Sequence, residues 1–332
     1  MKPAHTTTIA VLGDGGWGTT LAAYLHGLGH EVRWWSAFPA YAKELARRRE
    51  NVKFLPGVRL PKTLFITSAL DEAVSDAAIV VVAVPSRFLR RVARRLRPLL
   101  APRAIIVSVA KGLELGSLKR MSEVIQEEAR PAHLAVLSGP NIAAEIAHGQ
   151  PASSVIASTQ LAVARQLQQL FMSEQFRLYT STDVIGVELG GALKNPIAIA
   201  AGICDGLELG TNAKAALISR GVVEMARLGV ACGAKQETFW GLSGLGDLIT
   251  TCLRGRNRQF GEALGRGQTL KAILADTPMV IEGVDTAKSA IALARRKRMS
   301  LPIIDQVEAI LFRRKSPRSA LRDLMTRSRK AE

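Results

Sequence analysis

Aromatic residues are scarce, at 5% of 332 residues, so aliphatic side chains must fill whatever core this chain buries. Cysteines number three, Cys204, Cys232 and Cys252. Their spacing matches neither a disulfide framework nor a cysteine metal site, which fits thiols in a reducing cytoplasm. Histidines number five. Only His26 and His30 fall four apart, and Gly29 breaks a helix between them, so no metal is expected. No uncharged apolar run approaches the roughly 20 residues that cross a bilayer, so no integral membrane segment is expected. The opening Met-Lys-Pro-Ala-His, with its first apolar run ending at Asp14, is not the pattern of a signal peptide. Acids are also few: 28 Asp and Glu against 45 Lys and Arg leave a net charge of +17. That charge suits an arginine-rich surface and also draws in anionic ligands. Nucleic acid is not expected as a partner. The basic runs (Arg47 to Arg49, Arg94 to Arg97, Arg295 to Arg298, Arg313 to Lys315) are scattered, with no interleaved aromatics.

The chain is long enough for two domains. In its first half, strand and helix patterns alternate, which predicts an α/β, Rossmann-type, doubly wound and mostly parallel sheet over residues 1–182. Thr8 to Leu12 reads as an apolar strand that ends in Gly13-Asp14-Gly15-Gly16-Trp17-Gly18. A helix from Gly16 to about Leu28 follows, with Leu21, Ala22, Leu25 and Leu28 at helical spacing, and then a strand from Glu31 to Trp35. G-x-G-x-x-G alone is a weak signal; between a strand and a helix it is a strong one. Gly13 permits the tight turn, Gly15 lets a pyrophosphate approach the backbone, and Gly18 lets helix and strand pack closely. The free N–H groups at the helix start then face the phosphates.

An acid that holds the ribose hydroxyls of NAD usually closes the second strand. Here the chain reads Trp35-Ser36-Ala37-Phe38. The missing acid leans the reading toward NADP(H), with NAD(H) open and with Lys43, Arg47 or Arg48 as possible cations. Further buried strands run from Ala78 to Val84, Arg103 to Ala110 and His133 to Leu137. Their punctuated ends at Pro85, Lys111 and Ser138 should share one crevice with Gly13. Lys111 alone closes such a strand with a charge, as a cation for a bound anion or a carbonyl oxygen.

Ser154 to Ala157 and Phe176 to Thr180 read as edge strands. Beyond them the pattern turns helical, which predicts an all-helical domain over residues 183–332, with Ser181 or Thr182 capping its first helix. That helix, Val184 to Gly202, is apolar on nearly every side yet carries Lys194 and Asn195. Helical side chains lean toward the N-terminus. Lys194 should therefore lie over Gly190 and Gly191, with room beside it for a flat ring or a small substrate. Burial should lower its pKa and let it exchange a proton near neutral pH. Pro196 frees the Ala192 carbonyl and should kink the helix locally. Further on, Asp247 is the one acid in Gly241-Leu242-Ser243-Gly244-Leu245-Gly246-Asp247-Leu248-Ile249-Thr250-Thr251-Cys252, either as a helix cap or as part of a site. Arg254-Gly255-Arg256-Asn257-Arg258 offers guanidinium forks that match a phosphate.

GDGGWGT, SVAKGLE, SGPNIAAEIAHG, VELGGALKN, GLSGLGDLITTC and RGRNRQFG stand in the order found in bacterial NAD(P)-dependent glycerol-3-phosphate dehydrogenase. The resemblance spans residues 8 to 310. It implies a Rossmann domain followed by a helical domain. It also implies reversible reduction of dihydroxyacetone phosphate to sn-glycerol 3-phosphate, the backbone precursor of phospholipids. Position by position, Lys194 matches the catalytic lysine, and Lys111 a lysine that touches both cofactor and substrate. Gly139, Asn141, Asn195, Asp247, Thr251, Gly255, Arg256 and Asn257 fall on the substrate side. Gly16, Trp17, Ala143, Val280 and Glu282 match cofactor contacts, and Arg256 reaches the cofactor too. Three departures stand out. Ala37 replaces an Arg or His frequent in NADP users, Asn141 replaces a Ser or Thr, and Gly255 replaces a Ser of some members. A homodimer is the family expectation.

The expected chemistry is hydride addition to C2 of the ketone while the Lys194 ammonium protonates the forming alkoxide. Asp247 orients the lysine, Lys111 stabilises the oxygen, and Arg256 and Asn257 hold the phosphate. The alternatives are a related two-domain hydroxy-acid dehydrogenase and a non-catalytic NAD(P) sensor. The basic tail after Arg313 reads as a solvated end or as a contact with anionic lipid.

Overall fold

A computed structural model describes residues 6–277 and 279–328. The start of the amino-terminal segment and the end of the basic tail lie outside the described residues. By its internal contacts the chain separates into two compact units, one of residues 1–111 and 120–188, the other of 112–119 and 189–332.

The first unit is built on β1 (Thr8–Leu12), β2 (Glu31–Trp35), β3 (Glu50–Asn51), β4 (Leu55–Arg59), β5 (Phe65–Thr67), β6 (Ile79–Val82), β7 (Ile105–Ser108), β8 (His133–Ser138), β9 (Ala152–Ala157) and β10 (Phe176–Ser181). Eight of these form one sheet in the order β10-β9-β8-β7-β6-β1-β2-β5, and β3 and β4 pair apart. Every neighbouring pair in the large sheet is parallel except β8 and β9. The strands are short β-branched runs because both faces are covered. One face packs Ile9, Val11, Val32, Trp34, Val81 and Val107 against the Leu21 and Leu25 side of a helix. The other packs Ala10, Leu12, Trp35, Val80, Val82 and Ile106 against Leu89, Leu96 and Ile125.

The helices of this unit are α1 (Gly16–Gly27), α2 (Pro39–Arg48), α3 (Leu70–Val74), α4 (Ser86–Leu96), α5 (Met121–Glu128), α6 (Ala143–Ala147) and α7 (Leu161–Phe171). The strand order reverses between β1 and β6, so the carboxyl ends of those two strands flank the switch point where open α/β sheets bind ligands. Of the two late strands, β10 is the edge and β9 lies inside it.

The second unit is helical. It takes most of α8 (Val184–Gly206), then α9 (Gly210–Ala231), a short 3₁₀ turn, a π-helical turn over Leu242–Gly246, α10 (Asp247–Leu253), α11 (Arg256–Gly265), α12 (Leu270–Asp276), α13 (Glu282–Arg296), α14 (Pro302–Phe312) and α15 (Pro317–Met325). Asp183 caps α8, its Oδ1 accepting from the Gly186 N–H at 2.9 Å, so neither Ser181 nor Thr182 fills that role. The Ser181 hydroxyl instead accepts from the Asp183 N–H at 3.0 Å, one step earlier. The Asp183 carboxylate reaches the N–H three residues on, so the helix starts at Val184 as expected but with a different cap, and it runs on to Gly206 rather than ending at Gly202. The helix runs through Pro196 as one element of 23 residues.

By length and composition α8 alone among the described helices suffices to cross a bilayer, but 83% of its most apolar window is buried in the protein. Glycines let α11 lie directly on it. A Cβ at Gly202 would sit 1.9 Å from the Arg258 carbonyl oxygen, and one at Gly261 would sit 2.0 Å from that of Ile199. With no side chains between them, the first turns of α11 run against the carboxyl half of α8.

Candidate active site

In the first unit, the glycine turn follows β1. Gly13 has φ 121°, and a Cβ there would lie 2.6 Å from the Ala83 carbonyl oxygen, just past β6. A Cβ at Gly18 would lie 2.2 Å from the Gly13 oxygen, so α1 and β1 touch through backbone alone. Gly16 is filled differently from Gly15. Its Cβ would meet the Phe54 oxygen at 2.7 Å, whereas a Cβ at Gly15 would meet nothing within 4 Å. Open space in front of Gly15, at the amino end of a twelve-residue helix, fits a pyrophosphate. Trp17 packs edge-on against Phe176, centroids 6.4 Å apart. Its buried Nε1 has no partner among the described residues.

The parallel, adjacent strands β1, β6, β7 and β8 bring their carboxyl ends, and with them Gly13, Pro85, Lys111 and Ser138, to one edge of the sheet. Lys111 donates from Nζ to the Gly139 carbonyl at 2.8 Å and so ties the end of β7 to the end of β8. Asn141 accepts at Oδ1 from the Ser154 hydroxyl. Its Nδ2 is buried and has no partner among the described residues. A buried donor left unmade costs about 1–3 kcal/mol, so this atom is set up to bind something. Ala143 begins α6, and its carbonyl accepts from the Thr20 hydroxyl of α1 at 3.0 Å.

Two further groups went unread in the sequence. Ser154 orients Asn141 from β9. Asp14, inside the glycine motif, accepts from the hydroxyl of Ser36, the residue that follows β2.

In the second unit, Lys194 is 6% exposed and Asp247 1%. The Nζ of Lys194 is bonded to Asp247 Oδ1 and to the Thr251 hydroxyl, the latter at 2.6 Å. That hydroxyl donates in turn to the Asp247 carbonyl at 2.7 Å. A buried ammonium needs an opposite charge and hydrogen-bond acceptors, and this pair provides the charge and two acceptors. The π-helical turn ahead of α10 aims Asp247 at α8. Gly190 is not the open space expected beside the lysine. A Cβ there would lie 2.5 Å from the Ser243 carbonyl oxygen, so the glycine seats that turn on α8.

Asn195 and Asn257 are joined, Nδ2 of Asn257 donating to Oδ1 of Asn195 at 2.9 Å. Asn257 Oδ1 accepts from the Gly283 N–H at 3.0 Å. Much of the Asn257 amide thus links α8, α11 and α13. Gly255 precedes α11 with φ 142°, which strains a residue bearing a Cβ and accounts for glycine here. Arg256 opens α11 as a residue open to solvent, yet the surrounding protein atoms desolvate its guanidinium and lower its pKa, while the Glu282 carboxylate at the start of α13 raises it. Val280 lies half-buried two residues earlier.

Two acids on long helices were also unread. Glu188 on α8 accepts from the Ser122 N–H at 2.8 Å, the Ser122 hydroxyl at 2.5 Å and Arg120 Nη1 at 2.7 Å. Burial pushes its carboxyl up, while Arg120 and Ser122 pull it down. Glu188 carries the same signal as Lys194, a lone charge in an apolar helix. Glu224 on α9 accepts from the N–H groups of Ile303 and Ile304 at 2.7 and 3.3 Å, capping α14. Among the described residues no group of His, Cys, Asp and Glu is placed to hold a metal.

Comparison with known proteins agrees over both units. The pattern described as NAD-dependent glycerol-3-phosphate dehydrogenase N-terminus matches residues 8–164, and that described as the C-terminus matches residues 183–322. Proteins named glycerol-3-phosphate dehydrogenase NAD(P)+ are similar along nearly their whole length. The one from Fusobacterium nucleatum is 47% identical over 328 residues, 98% of each chain. The one from Citrifermentans bemidjiense is 48% identical over 329, again 98% of each. The crystal structure of glycerol-3-phosphate dehydrogenase from Coxiella burnetii superposes with a TM-score of 0.94 at 38% identity, covering 97% of this chain and 99% of that one. A ketopantoate reductase from Ralstonia eutropha, at 16% identity and a TM-score of 0.62, shares the fold alone. The chain, with its Rossmann-type unit and its helical unit, belongs to the NAD(P)-dependent glycerol-3-phosphate dehydrogenase family.

Proposed function

We propose that this chain reversibly reduces dihydroxyacetone phosphate to sn-glycerol 3-phosphate, and so supplies the backbone of phospholipids. The family likeness along the whole length supports the reaction. Residues 1–182 serve as the dinucleotide-binding domain and residues 183–332 as the catalytic and substrate domain. The bound reduced nicotinamide supplies the hydride. Gly13, Gly15, Gly16, Trp17 and Gly18 hold the dinucleotide, with Ala143, Val280 and Glu282 as further contacts.

The observation that carries the mechanism is the buried Lys194, held by Asp247 and Thr251. As an ammonium, Lys194 protonates the alkoxide that forms at C2 and takes the proton back in the oxidative direction. Asp247 fixes the rotamer of the lysine and balances the charge of its ammonium form; after the proton leaves, the Asp247 carboxylate is the buried charge that draws a proton back onto Nζ. Thr251 holds a second direction of Nζ. Lys111 stabilises negative charge on the substrate oxygen, and Gly139 and Asn141 line the substrate side. Arg256 holds the phosphate bidentately, with Gly255, Asn195 and Asn257 shaping that end. A phosphate gripped away from the reacting carbon fixes the ketone for attack.

This reading favours the cytoplasm, which suits three cysteines that are all free thiols, and a homodimer as the assembly. The cofactor is NAD(H) or NADP(H): the missing acid after β2 favours NADP(H), and the Asp14 carboxylate beside Ser36 opposes it.

Replacing Lys194 by Ala tests the mechanism. General acid–base catalysis contributes about 10²–10⁴-fold, so kcat falls by roughly that factor while the cofactor Kd holds. Near-normal turnover in that variant removes the lysine from the reaction.

A further inference from the structure

The chain closes β2 with Ser36-Ala37-Phe38, where an acid usually accepts the ribose hydroxyls of NAD. In the fold, a carboxylate is present at that point from another direction. Asp14 lies between Gly13 and Gly15 at the end of β1, the strand paired to β2 in register Leu12 to Trp35. Its Oδ2 accepts from the Ser36 hydroxyl. Ser36 is fixed in turn, since its N–H donates to the Thr67 carbonyl at 3.0 Å. The Asp14 backbone is pinned as well. Its carbonyl accepts from Asn51 Nδ2 at 2.8 Å, which also donates to the Thr19 hydroxyl at 2.6 Å, and Tyr41 donates to Asn51 Oδ1 at 2.6 Å. The side chain is half-buried, with Gly15 and its open space next to it.

Arg95 stands over the Trp35 ring, 5.8 Å from its centroid, but the recess beside Asp14 is not a cluster of cations. The recess beside this point is lined by Tyr41, Glu44, Arg48, Glu50, Val52 and Lys53, two acids against two bases. Arg48 is already paired with Glu44 at 2.9 Å. Ala37 is neutral, and Phe38 is an exposed hydrocarbon face. Burial, with the charges of Asp14 and Glu44 adding to it, pushes the Tyr41 hydroxyl up to about 12.

We infer that Asp14 determines cofactor specificity: held by Ser36, its carboxylate accepts the adenine-ribose hydroxyls of NAD(H) and repels the 2′-phosphate of NADP(H). The inference rests on the dinucleotide reading of the glycine turn. A carboxylate 14 residues into the chain thus substitutes for one at the end of β2, and the enzyme prefers NAD(H).

Binding without substrate tests this, read by quenching of tryptophan fluorescence or by calorimetry. Wild-type protein is titrated with NADH, NADPH, ADP-ribose and 2′-phospho-ADP-ribose, and Asp14→Asn and Asp14→Ala variants with the same four. The wild type should bind NADH and ADP-ribose at least tenfold tighter than their 2′-phosphorylated partners. A charge-assisted hydrogen bond is at stake, so both variants should lose about tenfold or more for NADH. Both should hold or gain affinity for NADPH, which collapses the ratio. A purely structural role for Asp14 weakens all four ligands alike and overturns the inference. Tighter or equal binding of NADPH by the wild type overturns it without any variant, so poor folding of a variant does not protect it. If the wild type binds none of the four, the dinucleotide reading itself fails and takes the inference with it.

Discussion

A single lysine inside a 23-residue apolar helix is costly to bury alone, and the chain meets that cost with one acid and one hydroxyl from α10. The charge was legible in the sequence because, Asn195 apart, the residues next to it are apolar or glycine. Its pairing was not, since Lys194 and Asp247 stand 53 positions apart and only the tertiary path of the π-helical turn joins them. The role expected of Gly190 failed for the same reason. The space a missing side chain leaves is claimed by whichever backbone arrives, here that of Ser243. Arg256 differs from Lys194 in being open to solvent and in carrying a guanidinium that keeps its proton, so the proposed role is binding rather than proton transfer. Replacing Arg256 by Ala removes a fork worth about 1.5–3 kcal/mol to a charged partner. The KM for dihydroxyacetone phosphate should rise roughly 10- to 100-fold with kcat changed far less. Steady-state kinetics over a wide substrate range reads the split, and an unchanged KM counts against the arginine.

At the scale of elements, the parallel strands and α1 were legible because period and punctuation coincide: Thr8–Leu12 and Glu31–Trp35 are bounded as the apolar runs predict. The antiparallel setting of β9 against β8 was not, because strand direction depends on the path of the connection and not on strand composition. Caps were legible as residue types but not as positions, as the shift from Ser181 or Thr182 to Asp183 shows.

A long-range cap is invisible to local reading altogether, and Glu224 is one. Its buried carboxylate accepts from the first N–H groups of α14. Burial pushes it up to about 7 from an ordinary 4.5, while the Ile303 and Ile304 N–H groups and the charges of Arg327 and Arg227 pull it down. In the folded state the proton is therefore held more tightly than in the unfolded chain. The stability this confers is complete below about 4.5 and is lost as pH rises through about 7, on the order of 3 kcal/mol. A Glu224→Gln variant keeps one carbonyl acceptor for Ile303 and has nothing to titrate. Relative to that variant, the wild-type Tm should fall as pH rises from about 4.5 to 7 and run parallel outside that window. Curves that stay parallel throughout would show that Glu224 does not titrate there.

At the scale of the whole molecule, a charge of +17 surrounds chemistry whose substrate and cofactor are both anionic. Such a field raises the local concentration of phosphorylated ligands without choosing among them, so the choice falls to the sites. Of the two units, one has the open glycine turn and the strand ends, the other the buried lysine and the arginine. Their motifs stood in order along the sequence, which is why family and reaction could be read before the fold. The carboxylate of Asp14 could not be placed until the fold set it against Ser36.

The most direct measurement follows oxidation of the reduced nicotinamide by its near-ultraviolet absorbance, with dihydroxyacetone phosphate or a 3-oxo acid as acceptor. The account predicts rapid oxidation with dihydroxyacetone phosphate and formation of sn-glycerol 3-phosphate, with the 3-oxo acid inert. Turnover of the 3-oxo acid alone, or cofactor binding with no turnover of either, would contradict it.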